Sequence, residues 1–503
     1  MARDNQSSTP PQPTGRLVFS DQSSYQTLSR LQRGGQALRL TRGVYVTQAS
    51  LPATVVTAHH LLAIVARFWP GAVVCDRSAL AAGPDSGWLY LCHPQPNRTT
   101  DLHLPGVSVT CRVGPGPLPG DMPWPHGLHM SGSARGLVEN VAVGGRPALD
   151  RPPRAAGESA VGDAIDALAR SGRTGKVADT LTQLEAVGDQ LPAGAVHRVR
   201  ELLVAALGTV GEGPIASRRL AARVAGEPYD AARLELFTDL RDEIERLAPS
   251  LRPAAQGSAV TWLPFFEAYF SNYIEGTRFS VEEAREIAID GIVPANRPDD
   301  AHDVSATFRI VSDPASMREV PSDADGFIGL LVERHRVLMA GRQSVRPGLF
   351  KERPNYAGGT AFVSPDLLVG TLRAAWEHID AVVDPFHRAV MMMFVVTECH
   401  PFDDGNGRIA RILANAELVA HDQARIVITN SYRGNYLAGL TAASANANGR
   451  ALVSVLDFTR RWVGAVDWSE WDRCMADLRS SHAFLDSAVA ERSGERLRLP
   501  EPA

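Results

Sequence analysis

Late in the chain, Val390 to Val396 is an unbroken apolar run that predicts a buried helix. The stretch IARILANAELVA (409–420) predicts a second helix, with a polar, glycine-containing loop between them. Upstream, FIGLLVERHRVLMAG (327–341) repeats apolar residues at helical spacing. PNYAGGTAFVSP (354–365) predicts a hairpin over about Asn355 to Val363, turning at Gly358-Gly359. The first half reads differently. Residues 16–47 open on a helix-like stretch, turn at Gly34-Gly35, and close on LRLTRGVYV, a short hairpin wing. An apolar helix follows at 54–68, then GAVVCDRSALAAG (71–83), a buried strand leading into a helix start. Strand-like alternation covers 88–114 and SARGLVENV (133–141) opens another helix. Between 160 and 250 several amphipathic helices follow, one of them LELFTDLRDEIERLA.

Composition sets the class. At 503 residues the chain is too long for one core, so two to four domains are expected. A 44% hydrophobic, 21% charged composition is that of a soluble globular protein, and a net charge of −5 argues against wholesale polyanion binding. The basic residues are arginines except Lys176 and Lys351. Cys75, Cys92, Cys111, Cys399 and Cys474 form no C-x-x-C pair, which suits a reducing cytoplasm and argues against disulfides or structural zinc. MARDNQSSTPPQPTG lacks an apolar signal core, and no run approaches the roughly 20 residues of a membrane span. A cytoplasmic protein is expected.

The chemistry concentrates in His400 to Arg411, HPFDDGNGRIAR. Its glycines fall at the start of the second apolar helix. Unpaired N–H groups and the helix dipole make such a start a phosphate site. Gly405 and Gly407 let backbone approach an anion closely. Arg408 and Arg411, three apart, are expected to share a face and point at the same anion. Asp404 can hold magnesium, which arrives with substrate phosphates and one or two carboxylates. His400 can take a proton near neutral pH. Nucleotidyl or phosphoryl transfer is implied. Cys399 reads as a small buried residue rather than a nucleophile, and His59-His60 as a partly buried pair rather than metal ligands.

This stretch resembles the Fic signature H-x-F-x-[D/E]-G-N-G-R-x-x-R at every fixed position. The resemblance implies a mainly α Fic (Fido) fold with a β-hairpin flap and transfer of AMP from ATP, with magnesium, to a Tyr, Thr or Ser of a protein. His400 would be the base and Phe402 would lie beneath the loop. Asp404 would ligate magnesium. Asn406 with the Gly405 and Gly407 amides would hold the α-phosphate, and Arg408 and Arg411 the outer phosphates. The hairpin, with Asn355, Tyr356, Gly358 and Gly359, would be the flap that aligns target backbone by strand addition. Tyr436, in RIVITNSYRGNYLAGL, would lie near the base.

A second motif lies upstream. In SNYIEG (271–276), Ser271 and Glu275 are four apart on one helix face, beside Gly276, which can close the helix. It resembles the Fic inhibitory motif [S/T]-x-x-x-E-[G/N] of class II members. By that resemblance Glu275 would pair with Arg411 and exclude the γ-phosphate, and Ser271 would pin the helix. Class II relatives often set this brake by homodimerisation.

The N-terminal region resembles AbiEi-like type IV antitoxins: a winged-helix piece ending at Leu38–Tyr45, then a nuclease-like α/β piece with a helix start at Ser78-Ala79-Leu80. Arginines 3, 16, 30, 33, 39 and 42 read either as DNA-phosphate contacts or as a solvated face. The expected organisation is a multidomain chain: a tail (1–15), an AbiEi-like winged-helix and α/β module (16–145), a linker and helical segment (146–255), an inhibitory-helix region (256–325), the Fic domain (326–466) and a C-terminal tail (467–503). Three rival functions stay open: a Fic enzyme transferring another moiety, a DNA-binding regulator with a nucleotide-sensing domain, and a toxin–antitoxin component.

Overall fold

The computed structural model describes residues 14–21, 25–96, 101–141, 151–172, 175–208, 213–357 and 360–500. The chain divides into two compact units, Met1–Gly226 and Glu227–Ala503.

The first unit begins with β1 (Arg16–Phe19), α1 (Tyr25–Arg33), β2 (Ala37–Thr41) and β3 (Val44–Thr47). Residues 16–19, expected to be helix-like, are instead a strand. Their backbone pairs antiparallel with β3, Leu17 opposite Val46, and the sheet order is β1-β3-β2. Next come α2 (Ala53–Phe68), β4 (Val73–Val74), α3 (Asp76–Leu80), β5 (Trp88–His93), β6 (Leu102–Leu104), β7 (Val107–Val113), β8 (Met122–Trp124) and β9 (Leu128–Met130). These strands form one mixed sheet of order β6-β7-β5-β4-β9-β8. Central strand β5 is covered on both faces: Leu89 and Leu91 join one apolar cluster, Trp88, Tyr90 and Cys92 another. That is why WLYLCH reads as continuous apolar sequence rather than alternation.

Helices α4 (Ser133–Val141), α5 (Glu158–Gly172), α6 (Gly175–Val187), α7 (Ala193–Ala206) and α8 (Arg218–Val224) complete the unit. Leu137, Ile165, Val199, Leu203 and Leu220 interlock in their shared core. The segment read as linker and helices therefore contributes most of a core, and the unit boundary falls at Gly226.

The second unit is helical: α9 (Ala231–Glu245), α10 (Leu263–Ile274), α11 (Val281–Arg285), α12 (Pro298–Ser312), α13 (Ala324–Leu338), the hairpin β10 (Tyr356–Ala357) and β11 (Thr360–Ala361), α14 (Pro365–Asp380), α15 (Pro385–Cys399), α16 (Asn406–Ala420), α17 (Arg433–Asn446), α18 (Gly449–Ala465), α19 (Trp471–Ser480) and α20 (Ser487–Ser493). Asp384 caps α15, accepting from His387 N at 2.9 Å, and Pro385 occupies its first turn. From Ala389 to Val396 every residue of α15 is buried, so this helix is the centre of the core. Helix α10 is also buried nearly all round. Ala268 and Ile274 join the cluster around α15, while Phe265, Phe266 and Phe270 join a second with Trp462 and Trp468.

The expected C-terminal tail is folded instead. Trp468, Cys474, Met475 and Leu478 are buried against α10, because α19 supplies the apolar stripe that covers the outer side of its aromatic run. The hairpin forms where expected, Tyr356 opposite Ala361, while its turn residues Gly358 and Gly359 lie outside the described residues. Among the described residues no helix is long and apolar enough to cross a membrane.

Phe270 is fully buried, with ring centroids 6.4 Å from Trp462 and 5.6 Å from Phe484. Phe270→Ala is expected to lower the unfolding free energy by about 3–5 kcal/mol in a denaturant titration.

Candidate active site

The loop between α15 and α16 is shaped by its own polar atoms. His400 ends α15 in the left-handed region (φ 48°), an uncommon conformation for a residue with a Cβ. Phe402 is fully buried; its ring stacks on His335 at 3.7 Å. The Asn406 side chain closes the loop: its Oδ1 accepts from Phe402 N (2.8 Å) and its Nδ2 donates to Phe402 O (2.9 Å). Asn406 was expected to hold phosphate. At 2% exposure, with both ends of its amide committed to the loop, it instead shapes the backbone that presents the neighbouring amides.

Gly405 precedes α16 at φ 80°, and a Cβ there would press to 2.9 Å from Met339 Sδ. Its conformation and its contact both require glycine. Gly407 is on the first turn of α16, and a Cβ on it would collide with Glu275 Oε1. The carboxylate of Glu275 thus lies directly against the helix start, where N–H groups have no partner within the helix.

Glu275 arrives there because α10 stops. Gly276, at φ 96°, follows it and turns the chain away. Helix α10 carries a polar line at four-residue intervals, Glu267, Ser271 and Glu275, through an otherwise aromatic sequence. It runs beside Asn415, Arg411 and Gly407 of α16, also four apart. Asn415 Nδ2 donates to Glu267 Oε1 at 2.8 Å. Arg411 Nε donates to Ser271 Oγ at 3.0 Å and its Nη2 to Glu275 Oε1 at 2.7 Å. Burial opposes the ionised form of Glu275, yet Arg411, with Arg408 and Arg433 beyond it, holds its pKa below the ordinary carboxylate value.

The two signature arginines do not converge on one anion. Arg408 Nη1 pairs with Asp303 Oδ2 of α12 at 2.7 Å and also meets Asn272 Oδ1 at 3.3 Å. Three residues advance a helix by about 300°, so the two side chains diverge by roughly 60°; Arg408 pairs with a carboxylate of α12, Arg411 with the one at the end of α10. Arg408 is a buried strut, and Arg411 alone of the two lines the cavity.

That cavity measures about 510 Å³ and brings together Glu275, His400, Gly407, Arg411, Arg433 and Tyr436. Tyr436 stands beside Arg411, and its hydroxyl donates to Met393 Sδ at 3.5 Å. The far end is walled by Leu437, Leu440 and Ser444 of α17 and by Glu398, which pairs with Arg233. His400 Nδ1 lies 3.3 Å from Thr397 O, a carbonyl that only accepts, so Nδ1 carries the proton and Nε2 keeps its lone pair. Burial lowers the pKa of His400, keeping it neutral near pH 7. Phe362, at the root of the hairpin, stacks on its ring at 4.0 Å.

Asp404 is about half exposed. Its Oδ1 accepts from Gly405 N at 2.7 Å, and its Oδ2 lies 3.5 Å from Arg408 Nη2. One accessible carboxylate beside an open helix start fits a magnesium ion that would keep water and phosphate as its other ligands. In the hairpin, Tyr356 is exposed, whereas Asn355 turns inward to the carbonyls of His400 and Phe402. Burial pushes the Cys399 thiol up to about 12, which leaves it inert as a nucleophile. In the first unit, His60 meets Thr14 O at 3.1 Å, Arg33 Nε donates to Ser29 O and Arg39 Nε to Thr41 O. Arg3 lies outside the described residues. Cys75, Asp76 and Glu139 bring potential ligand atoms within 4.8 Å of one another, but Arg112 bridges both carboxylates.

Sequence reasoning missed Asp303, Arg433, Phe362, Lys351 and His335. Only Lys351 carried a signal, as one of two lysines. His335 orients the loop from α13: Gly348 N donates to its Nδ1 (2.9 Å), and its Nε2 faces Asp404 O at 3.1 Å. Burial lowers its pKa to about 4. Between about pH 6.5 and 4 the unfolded chain binds the extra proton. Stability from this residue is therefore full above 6.5 and lost as pH falls, by up to about 3 kcal/mol. Urea titrations across that window are expected to show a shallower acid loss for His335→Gln than for the parent.

Residues 328–418 match the Fic/DOC family model. Protein adenylyltransferase fic-1 of Caenorhabditis elegans is 26% identical over 223 residues, 43% of each chain. Protein adenylyltransferase Fic of Drosophila erecta is 25% identical over 292 residues, 56% of each. The chain spans about half the length of the curated relatives it matches. Among solved structures, Fic-1 from C. elegans aligns over 62% of this chain and 89% of its own, at 19% identity and a TM-score of 0.36.

Proposed function

We propose that this protein, which carries a Fic/DOC domain at 328–418, is a self-inhibited protein adenylyltransferase acting on Tyr, Thr or Ser hydroxyls of a protein target. The observation that carries the reading is the placement of Glu275: its carboxylate occupies Arg411 and covers Gly407 in the cavity that also holds His400. A volume of about 510 Å³ is ample for a nucleotide. Arg433 and Ser444, eleven residues apart along α17, span roughly 16 Å of its wall, enough for an extended nucleoside triphosphate.

In this reading the α-phosphate of ATP meets the amides at the start of α16. His400 Nε2 takes the proton of the target hydroxyl as its oxygen bonds to the α-phosphorus. The bond from that phosphorus to the bridging oxygen breaks, and pyrophosphate leaves. Arg411 neutralises the outer phosphates once Glu275 withdraws. Asp404 is the carboxylate that would hold magnesium, which when bound supplies positive charge to the phosphates. With Glu275 in place, a γ-phosphate would meet a carboxylate on its own arginine, and like charge excludes it. The hairpin, with exposed Tyr356, is the edge on which target backbone would lie. For the first unit, the antitoxin resemblance proposes DNA-phosphate contact through the arginine cluster, of which Arg16, Arg30, Arg33, Arg39 and Arg42 lie among the described residues.

Labelled ATP with magnesium tests the whole. Glu275→Gly is expected to raise self-labelling by much more than about ten-fold, because it removes both the competing carboxylate and the repulsion. Adding His400→Ala should abolish the label. Absence of label from Glu275→Gly, with ATP still bound, would refute the reading. In Glu275→Gly the base must be neutral, so transfer falls as pH drops through the pKa of His400. Because burial depresses that pKa, the acid limb of the rate is expected below about 6.5.

A further inference from the structure

Lys351 is buried at 3% exposure, and its ammonium faces two neutral oxygens: Asn355 Oδ1 at 2.7 Å and Cys399 O at 3.0 Å. Burying an amine this way is costly unless its bonds are used. They are used on one object. Lys351 N donates to Pro401 O at 2.9 Å. Asn355 Nδ2 donates to His400 O at 3.2 Å and Phe402 O at 3.1 Å. Four successive carbonyls, 399 to 402, are thus held by this lysine and the asparagine it orients.

These carbonyls lie at and just past the C-terminus of α15, where the helix dipole favours a cation. They also belong to the turn that keeps His400 left-handed. Asn355 is at the same time the root of β10, and its carbonyl accepts from Phe362 N at 3.2 Å, the residue whose ring covers His400. Hairpin and loop therefore meet at this ammonium–amide pair as well as at the Phe362–His400 stack.

We propose that Lys351 is a positioning residue for the transfer reaction: through Asn355 it locks the hairpin strand in register with His400, so that a target backbone laid on the strand delivers its hydroxyl to the ring. The inference rests on the adenylyltransferase reading. Neither group lines the cavity, so nucleotide affinity is expected to be independent of Lys351, while the transfer step and target KM depend on it. Burial, with Arg233 nearby, lowers the pKa of Lys351 to about 8, against the attraction of Cys399 and Asp403. Above that pH the amine still has two N–H groups for two acceptors but loses the charge that strengthens both bonds.

The test uses the full chain with Glu275→Gly as the active background. Adding Lys351→Met is expected to lower the transfer rate at least about ten-fold, with binding of a fluorescent ATP analogue unchanged. A second arm measures the rate from pH 7 to 9.5. The lysine form is expected to lose about five-fold as pH rises through 8, and Lys351→Arg, charged throughout, to stay flat. Equal rates for Lys351→Met and its background would overturn the inference. If Lys351→Met does not fold, the arginine arm decides, and parallel pH profiles would overturn it. An inactive Glu275→Gly background would instead refute the functional reading itself, and this inference with it.

Discussion

Everything at the site depends on how α10 is held against α16. A helix as apolar as LPFFEAYFSNYI could pack against α16 in several rotations. Its polar residues remove that freedom, since Glu267, Ser271 and Asn272 are buried and must find partners. Glu267 is met by Asn415 and Arg425, Ser271 by Arg411, Asn272 by Arg408, and Glu275 by Arg411. Satisfying all of them fixes one register between the two helices. In that register the last carboxylate of the line reaches the first turn of α16.

The aromatic clusters on either side make the register rigid. Phe265, Phe266 and Phe270 pack against Trp462 and Trp468, while Ala268 and Ile274 face the helices around α15. Directly after Glu275 the chain leaves helical geometry, with Gly276 at φ 96°. Glu275 is the outermost member of the polar line and its most exposed, at 29% against 6% for Glu267.

The catalytic loop is stabilised from below and from the side rather than by its own packing. His335 stacks beneath Phe402, Asn406 ties residue 402 to the helix start, and Lys351 with Asn355 holds carbonyls 399 to 402. The strained backbone of His400 persists because each neighbour is already fixed. Arg408 takes part in the same support through its ion pair with Asp303.

Local pattern was enough for some of this. The apolar runs announced α15 and α16, the glycines announced the open helix start between them, and the Ser271–Glu275 spacing announced a helix face aimed at something. These are short-range properties, set by helical periodicity and backbone permissiveness. What the sequence could not reveal was which polar groups face each other across the core. Arg408 and Arg411 look equivalent in a linear motif; only the positions of α12 and α10 make one a strut and the other a cavity wall. Asn406 resembled a ligand contact until the loop closed on it. Lys351, Asp303, Arg433 and His335 lie 22 or more residues from any motif residue they touch or face in the cavity, apart from the short step from Lys351 to Asn355. Periodicity carries no information at that range, because burial and partnership are settled when distant helices pack.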